Sequence, residues 1–107
     1  MIVINGFNEL LQMKDGLPDV GWLYVSPSFS LSSEEDIVNG RYYFAENEDE
    51  EMDFEDNYGT FLEAPIFKAI IDKKLEHNPA SGNGELLSAV RYYLETMIFR
   101  TENRKPL

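Results

Sequence analysis

Carboxylates are the most concentrated chemical resource in this sequence. From Glu46 to Asp56 eight of eleven residues are Asp or Glu, and the apolar residues Met52, Phe54 and Tyr58 lie in or just past that run. Carboxylates at this density suit three kinds of chemistry: holding a divalent cation, acting as an acid and base pair, or attracting the cations of a partner. A calcium loop of the EF-hand type fails on spacing, because placing Gly59 at its obligatory glycine puts Phe54 at the first ligand position, and Phe has no carboxylate. Mobile carboxylates without a fixing scaffold bind metals loosely, so no dedicated metal site and no cofactor are expected. Paired carboxylates for glycosidic or phosphoryl chemistry need set distances on rigid elements and a pKa displaced by burial, which a solvated acidic run does not provide.

Other catalytic constellations are weaker still. A nuclease-like use of Pro18-Asp19 with Asp72-Lys73-Lys74 would need Asp72 at a strand end, whereas its neighbours predict the polar face of a helix. The single histidine, His77, stands beside Asn78-Pro79 at a predicted helix end, a place for capping or solvent rather than a Ser/His/Asp triad. With no cysteine and no glycine-rich phosphate loop, thiolate metal sites, disulfides and nucleotide cradles are excluded. The chain is therefore expected not to be an enzyme.

The third use of carboxylates fits the charge map. Nine basic and 20 acidic residues give a net charge of −11, and the segment from Glu34 to Glu63 holds twelve acids against one base, Arg41. Eight acids and eight bases remain outside it, so the whole net charge sits in thirty central residues. Such a field repels nucleic-acid phosphates and steers basic partners inward. Direct nucleic-acid binding is not expected. The residues placed to meet a partner are Glu48, Asp49, Glu50, Glu51, Asp53, Phe54, Glu55, Asp56 and Tyr58. Two readings of the apolar members stay open: Phe54 tucks back against a sheet, or Met52, Phe54 and Tyr58 are anchors ringed by charge, the layout of an interface with a desolvated centre and a polar rim. Tyr92 and Tyr93 invite the same question, with Tyr93 on an apolar stripe and Tyr92 about 100° away from it.

Elements must hold these residues in place. At 107 residues, 43% apolar and 13% aromatic, the sequence is expected to form a single domain over 1–107. Its start lacks a basic and then apolar leader pattern, and no stretch reaches the length of a membrane span, so a cytoplasmic protein without membrane contact is expected. Phe7, Leu10 and Leu11 share one face of a first helix, capped by Asn5 or Asn8 and closed at Asp15-Gly16-Leu17-Pro18. Val20–Val25 reads as a strand buried on both faces and the sheet centre; Arg41–Glu46 is a second strand and Tyr58–Glu63 a third. Ser32–Asp36 can start a brief helical turn. Between the last two strands, repulsion among like charges predicts a mobile acidic loop over 46–57.

Pro65 opens a helix with an apolar stripe of Ile66, Phe67, Ile70, Ile71 and Leu75, while Lys68, Asp72, Lys73 and Glu76 face water; Asn78-Pro79 stops it. A last helix, capped by Asn83 or Ser81, carries Leu86, Leu87, Val90, Tyr93, Leu94, Met97 and Ile98 at helical spacing, and a polar tail over 101–107 is expected to fray. The order is α-β-β-β-α-α, an α+β fold with a small, mainly antiparallel sheet packed on helices.

The segment Leu86 to Phe99, with Ala89, Tyr92-Tyr93 and Phe99, resembles the closing helix of a family of small acidic bacterial proteins that includes immunity proteins of contact-dependent growth inhibition systems. The likeness runs loosely from Phe7 to Phe99 through Leu17-Pro18, Leu23-Tyr24, the strand leading into the acidic tract, and the helix before Pro79. Where the family often carries Asn-Asp before a final Ala-Phe, this chain has Thr96-Met97-Ile98-Phe99. The resemblance implies an immunity protein that binds and neutralises a cognate toxin domain, a basic nuclease by charge, and it transfers no catalytic motif. A nucleic-acid mimic that blocks a DNA-binding enzyme through the same acidic surface is the alternative.

Overall fold

The computed structural model describes residues 1–103, with side chains as far as Thr96. Among them, four strands interleave with five α-helices: β1 (Ile2–Asn5), α1 (Phe7–Gln12), β2 (Trp22–Val25), α2 (Glu34–Asn39), β3 (Arg41–Phe44), α3 (Glu48–Asn57), β4 (Gly59–Glu63), α4 (Ala64–His77) and α5 (Asn83–Asn103). The class is α+β with one antiparallel sheet in the order β1-β3-β2-β4. The element order differs from the expected α-β-β-β-α-α, since an added first strand and two added helices alternate with the rest. Among the described residues no helix is long and apolar enough to cross a membrane. The chain falls into two compact units, Met1–Ala69 and Ile70–Leu107.

The first unit holds the whole sheet. β2, the strand expected at the sheet centre, and β3 are its inner strands, and β1 pairs with β3 from Ile2↔Phe44 to Asn5↔Arg41. Alternation sorts the side chains: Tyr24 and Tyr43 face one side, Leu23, Val25, Tyr42 and Phe44 the other. Between β2 and β4 the register slips, with Trp22 opposite Glu63 but Tyr24 opposite Thr60. Phe61 and Leu62 thus share the place opposite Leu23. This β-bulge lets two successive residues both be buried, at 1% and 2% exposure.

Several local expectations are corrected. Ile2–Asn5 is a strand, so Asn5 cannot cap α1; Gly6 stands at that cap in a conformation of positive φ, with no side-chain cap. Gly16 does not close α1 in a left-handed conformation: α1 ends at Met13 and Gly16 ends a following 3-10 turn. The Ser32–Asp36 stretch grows into the full α2, capped by the Ser33 hydroxyl, which accepts from the Asp36 N–H at 3.2 Å. Most importantly, the acidic stretch expected to be a loop is the ten-residue helix α3.

Lys68 also departs from its expected solvent-facing place. Its ammonium donates to the Leu17 carbonyl and pairs with Asp19 at 3.2 Å, tying the start of α4 to the chain entering β2. Phe67 meets Phe7 edge-on at 6.2 Å. On the far side of the sheet from α3, Phe29, Tyr42 and Phe61 form a triangle of rings with centroids 4.9–6.0 Å apart. The buried Tyr42 hydroxyl donates to the Ile37 carbonyl at 2.5 Å, satisfying one of the acceptors left open in the last turn of α2.

In the second unit, α4 buries Ile71 and half-buries Ile70 and Leu75, and α5 buries Leu86, Leu87, Val90 and Leu94. The Gly82 carbonyl takes the first N–H groups of α5, from Glu85 and Leu86, while Ser81 bonds back to Asn78. Met97 and Ile98 of the expected stripe lie outside the described side chains. Helix α5 takes in the first three residues of the tail expected to fray, and residues 104–107 lie outside the described residues.

Burial pushes the Tyr42 phenol well above its ordinary value of 10. The unfolded chain ionises this group from about pH 10 upward while the folded protein keeps the proton. Its stability contribution is thus complete below about pH 10 and is lost as pH rises further. Thermal unfolding across that range should show the wild type losing stability with pH more steeply than Tyr42→Phe. At neutral pH the same variant should be about 1 kcal/mol less stable, through loss of the bond to Ile37.

Candidate functional site

Seven of the ten residues of α3, Glu-Asp-Glu-Glu-Met-Asp-Phe-Glu-Asp-Asn, are acidic. Its N-terminal half is well adapted to that composition. The Asn47 side chain caps the helix by accepting from the Glu50 N–H at 2.9 Å, and the Glu50 carboxylate reaches back to the Glu46 N–H at 3.0 Å. Four acids in the first turn face the positive end of the helix dipole. The Met1 ammonium adds a local counter-charge, 2.5 Å from Glu46 and 2.8 Å from Glu50. Hydrogen bonds from that ammonium and then from the Glu46 N–H hold the Glu50 carboxyl below its usual range, and the ammonium is raised in turn by Glu46 and Glu50.

The C-terminal half is adapted by packing instead. Phe54 is 3% exposed, its ring centroid 5.2 Å from Tyr24, 6.0 Å from Tyr43 and 4.9 Å from Tyr58. Tyr58 is half-buried and meets Tyr43 edge-on at 5.1 Å. Phe54 is tucked back against the sheet, the first of the two readings left open by the sequence, and the half-buried Tyr58 packs beside it, so that the two rings clamp α3 to the sheet. No basic residue stands in the last turn, where Asp53, Glu55 and Asp56 face the negative end of the dipole. The Asn57 amide eases this by donating to the Asp53 carboxylate at 2.8 Å and to the Asp53 carbonyl at 3.2 Å.

Helical geometry then divides the candidate residues. Glu50, Glu51 and Phe54, spaced at i, i+1 and i+4, lie toward the sheet and are half-buried or buried, and Tyr58, the extended residue just past the helix, is half-buried. Glu48, Asp49, Asp53, Glu55 and Asp56 are exposed, and among them Met52 is 63% exposed. Glu48, Asp49, Glu55 and Asp56 are the i−4, i−3, i+3 and i+4 neighbours of Met52, so they surround it on one face. An apolar centre with an anionic rim is thus present, and of the three apolar candidates Met52 stands at it while Phe54 is buried. The signal was in the sequence: Met52 sits two residues before Phe54, on the opposite side of any helix that buries Phe54.

Other carboxylates stand apart from this face. Asp19 is taken up by Lys68, and His77 is exposed at the end of α4. In the second unit, Lys73, Lys74, His77, Tyr92 and Tyr93 line a groove of about 700 Å³ whose bases give it the opposite character to α3. Tyr92 is 72% exposed and Tyr93 half-buried, as the spacing predicts. Among the described residues no three His, Asp or Glu are grouped to hold a metal ion.

Two variants separate support from surface. Phe54→Ala should lower stability by about 3–5 kcal/mol and reduce helical circular dichroism, since it empties the clamp. Asp56→Lys should raise stability by about 0.5 kcal/mol in chemical denaturation by reversing an unfavourable charge at the C-terminal end of α3. No protein-family model, curated protein sequence or solved structure matches this chain.

Proposed function

We propose that this chain is an immunity-type protein that binds and neutralises a cognate basic toxin domain, a nuclease by class, through the outward face of α3. The observation that carries the reading is the exposed Met52 ringed by Glu48, Asp49, Glu55 and Asp56 on a helix fixed to the sheet. A nuclease holds phosphates with Lys and Arg, and a rigid array of carboxylates is the complementary surface. Steering by such a field speeds encounter, while a desolvated apolar centre slows release. The acids at the C-terminal end of α3 support the same reading, because they stand against the helix dipole and gain nothing from it. The chain performs no catalytic step of its own in this scheme, and needs no metal or cofactor. The resemblance of the closing helix to immunity proteins of contact-dependent growth inhibition points to the same class of partner.

The test pairs the purified chain with the toxin domain encoded directly upstream of its gene, and measures protection of cells and binding kinetics. Association should slow steeply with added salt as screening shortens the field to about 8–10 Å. Replacing Glu48, Asp49, Glu55 and Asp56 by Gln or Asn should lower the on-rate, and Met52→Ala should raise the off-rate by about tenfold or more. Wild-type rates for both variants at low and high salt would remove α3 as the docking face. Equal inhibition of several unrelated DNA-binding enzymes would replace the immunity reading by that of a nucleic-acid mimic.

A further inference from the structure

Helix α3 does not cover the whole sheet face on which it lies. Where β2 begins and β3 ends, a cleft of about 430 Å³ opens within the first unit. Its lining is aromatic, from Trp22 and Tyr24 of β2, with Phe44 reaching it at the end of β3, and it is anionic at Glu46, Glu48 and Glu51 before and in the start of α3. Gly21 forms part of the wall in a conformation of φ +108°, and a Cβ there would stand 2.8 Å from the Phe44 ring. A side chain at Gly21 would thus be strained and would press on the Phe44 ring.

Two features of this cleft have no explanation in the fold itself. Tyr24 is 1% exposed, yet among the described residues its hydroxyl has no hydrogen-bond partner. Buried hydroxyls are almost always paired, so an orphan one marks a place where a bond is left for something else. Burial, then the nearby charges of Glu51 and Glu55, push this phenol upward, so it stays protonated and its oxygen remains free to accept. Trp22 is 38% exposed, presenting an indole beside unneutralised carboxylates. Glu46 is paired with the Met1 ammonium, whereas among the described residues no base pairs with Glu48 or Glu51.

We propose that this cleft is a socket for an arginine side chain presented by a basic protein partner, with Trp22 stacking on the guanidinium, Glu48 and Glu51 pairing with it, and the Tyr24 hydroxyl accepting one of its N–H groups. Arginine is preferred over lysine because its planar, weakly hydrated head both stacks on an aromatic face and donates to several acceptors at once. Its methylene stem matches the aromatic lining, and the charge is complementary. Two full carboxylate charges outweigh the roughly half unit of positive charge at the nearby helix start. Glu48 belongs both to the lining of the cleft and to the ring around Met52, so one partner can engage both. The proposal deepens the immunity reading by giving the partner a specific anchor, and it rests on that reading only for the partner's identity.

The test uses the full chain and a small probe. N-acetyl-arginine-N-methylamide is titrated while the amide, indole and aromatic resonances are followed by NMR, with the matching lysine and citrulline derivatives as controls. Saturable shifts at the Trp22 indole and Tyr24 ring are expected with arginine, weaker ones with lysine, and none with neutral citrulline. Glu51→Gln should weaken binding by about tenfold, the scale of one charge-assisted bond. Glu48→Gln, at an exposed position, should weaken it in the same direction and keeps the test valid if Glu51→Gln perturbs folding. Equal shifts with citrulline, or unchanged arginine affinity in folded Glu48→Gln, would overturn the socket. Because the probe is independent of any toxin, arginine binding without a toxin partner would leave the socket standing and remove the immunity reading. A toxin complex with a cleft indifferent to arginine would do the reverse.

Discussion

The ring of Phe54, held among Tyr24, Tyr43 and Tyr58, is the contact on which the acidic surface depends. An isolated ten-residue helix is short of the length at which helices persist in water, and seven acids in ten residues add repulsion to that deficit. The first turn is compensated by its cap, the dipole and the Met1 ammonium; the last turn is not. What keeps the second half helical is apolar and aromatic burial, whose strength is insensitive to the charges above it. The electrostatics of the protein are therefore displayed by residues that carry no charge.

This division of labour follows the helical period. Side chains that look inward hold α3 against the sheet, and those that look outward contribute only at the helix ends. Exposed substitutions on such a face change stability little, so the outward residues can vary with a partner without endangering the fold. The cleft beside Trp22 lies at the seam between the two sets, where α3 ends its cover of the sheet and a structural side chain, Tyr24, keeps one unused hydroxyl.

The inner strands were legible from sequence because Trp22–Val25 and Arg41–Phe44 are runs of aromatic and branched residues with few alternatives. The stripes of α4 and α5 were legible through spacing. β1 was not, since four residues before a glycine give too little pattern to separate a strand from an irregular start. α3 was misjudged because repulsion between neighbours is visible in the sequence, whereas the counter-charge of Met1 and the rings of Tyr24 and Tyr43 arrive from far along the chain. The same distance explains why Phe54 could not be assigned between core and surface: its neighbours are set by the sheet, and only Tyr58 is near in sequence. Asn47 before four acids is the local sign of a helix start that outweighs charge repulsion.

The sheet contains no pair of neighbouring strands joined by a tight turn: Ile2 meets Phe44, Trp22 meets Glu63, and even the inner pair joins Tyr24 to Tyr43. Every ladder must therefore close a long loop before it is rewarded, which slows folding relative to a sheet built of hairpins. The chain between β3 and β4 is the acidic stretch itself, so its charges repel one another throughout that search. Added salt should then quicken folding by screening the same carboxylates whose field, once displayed on α3, salt would weaken toward a partner.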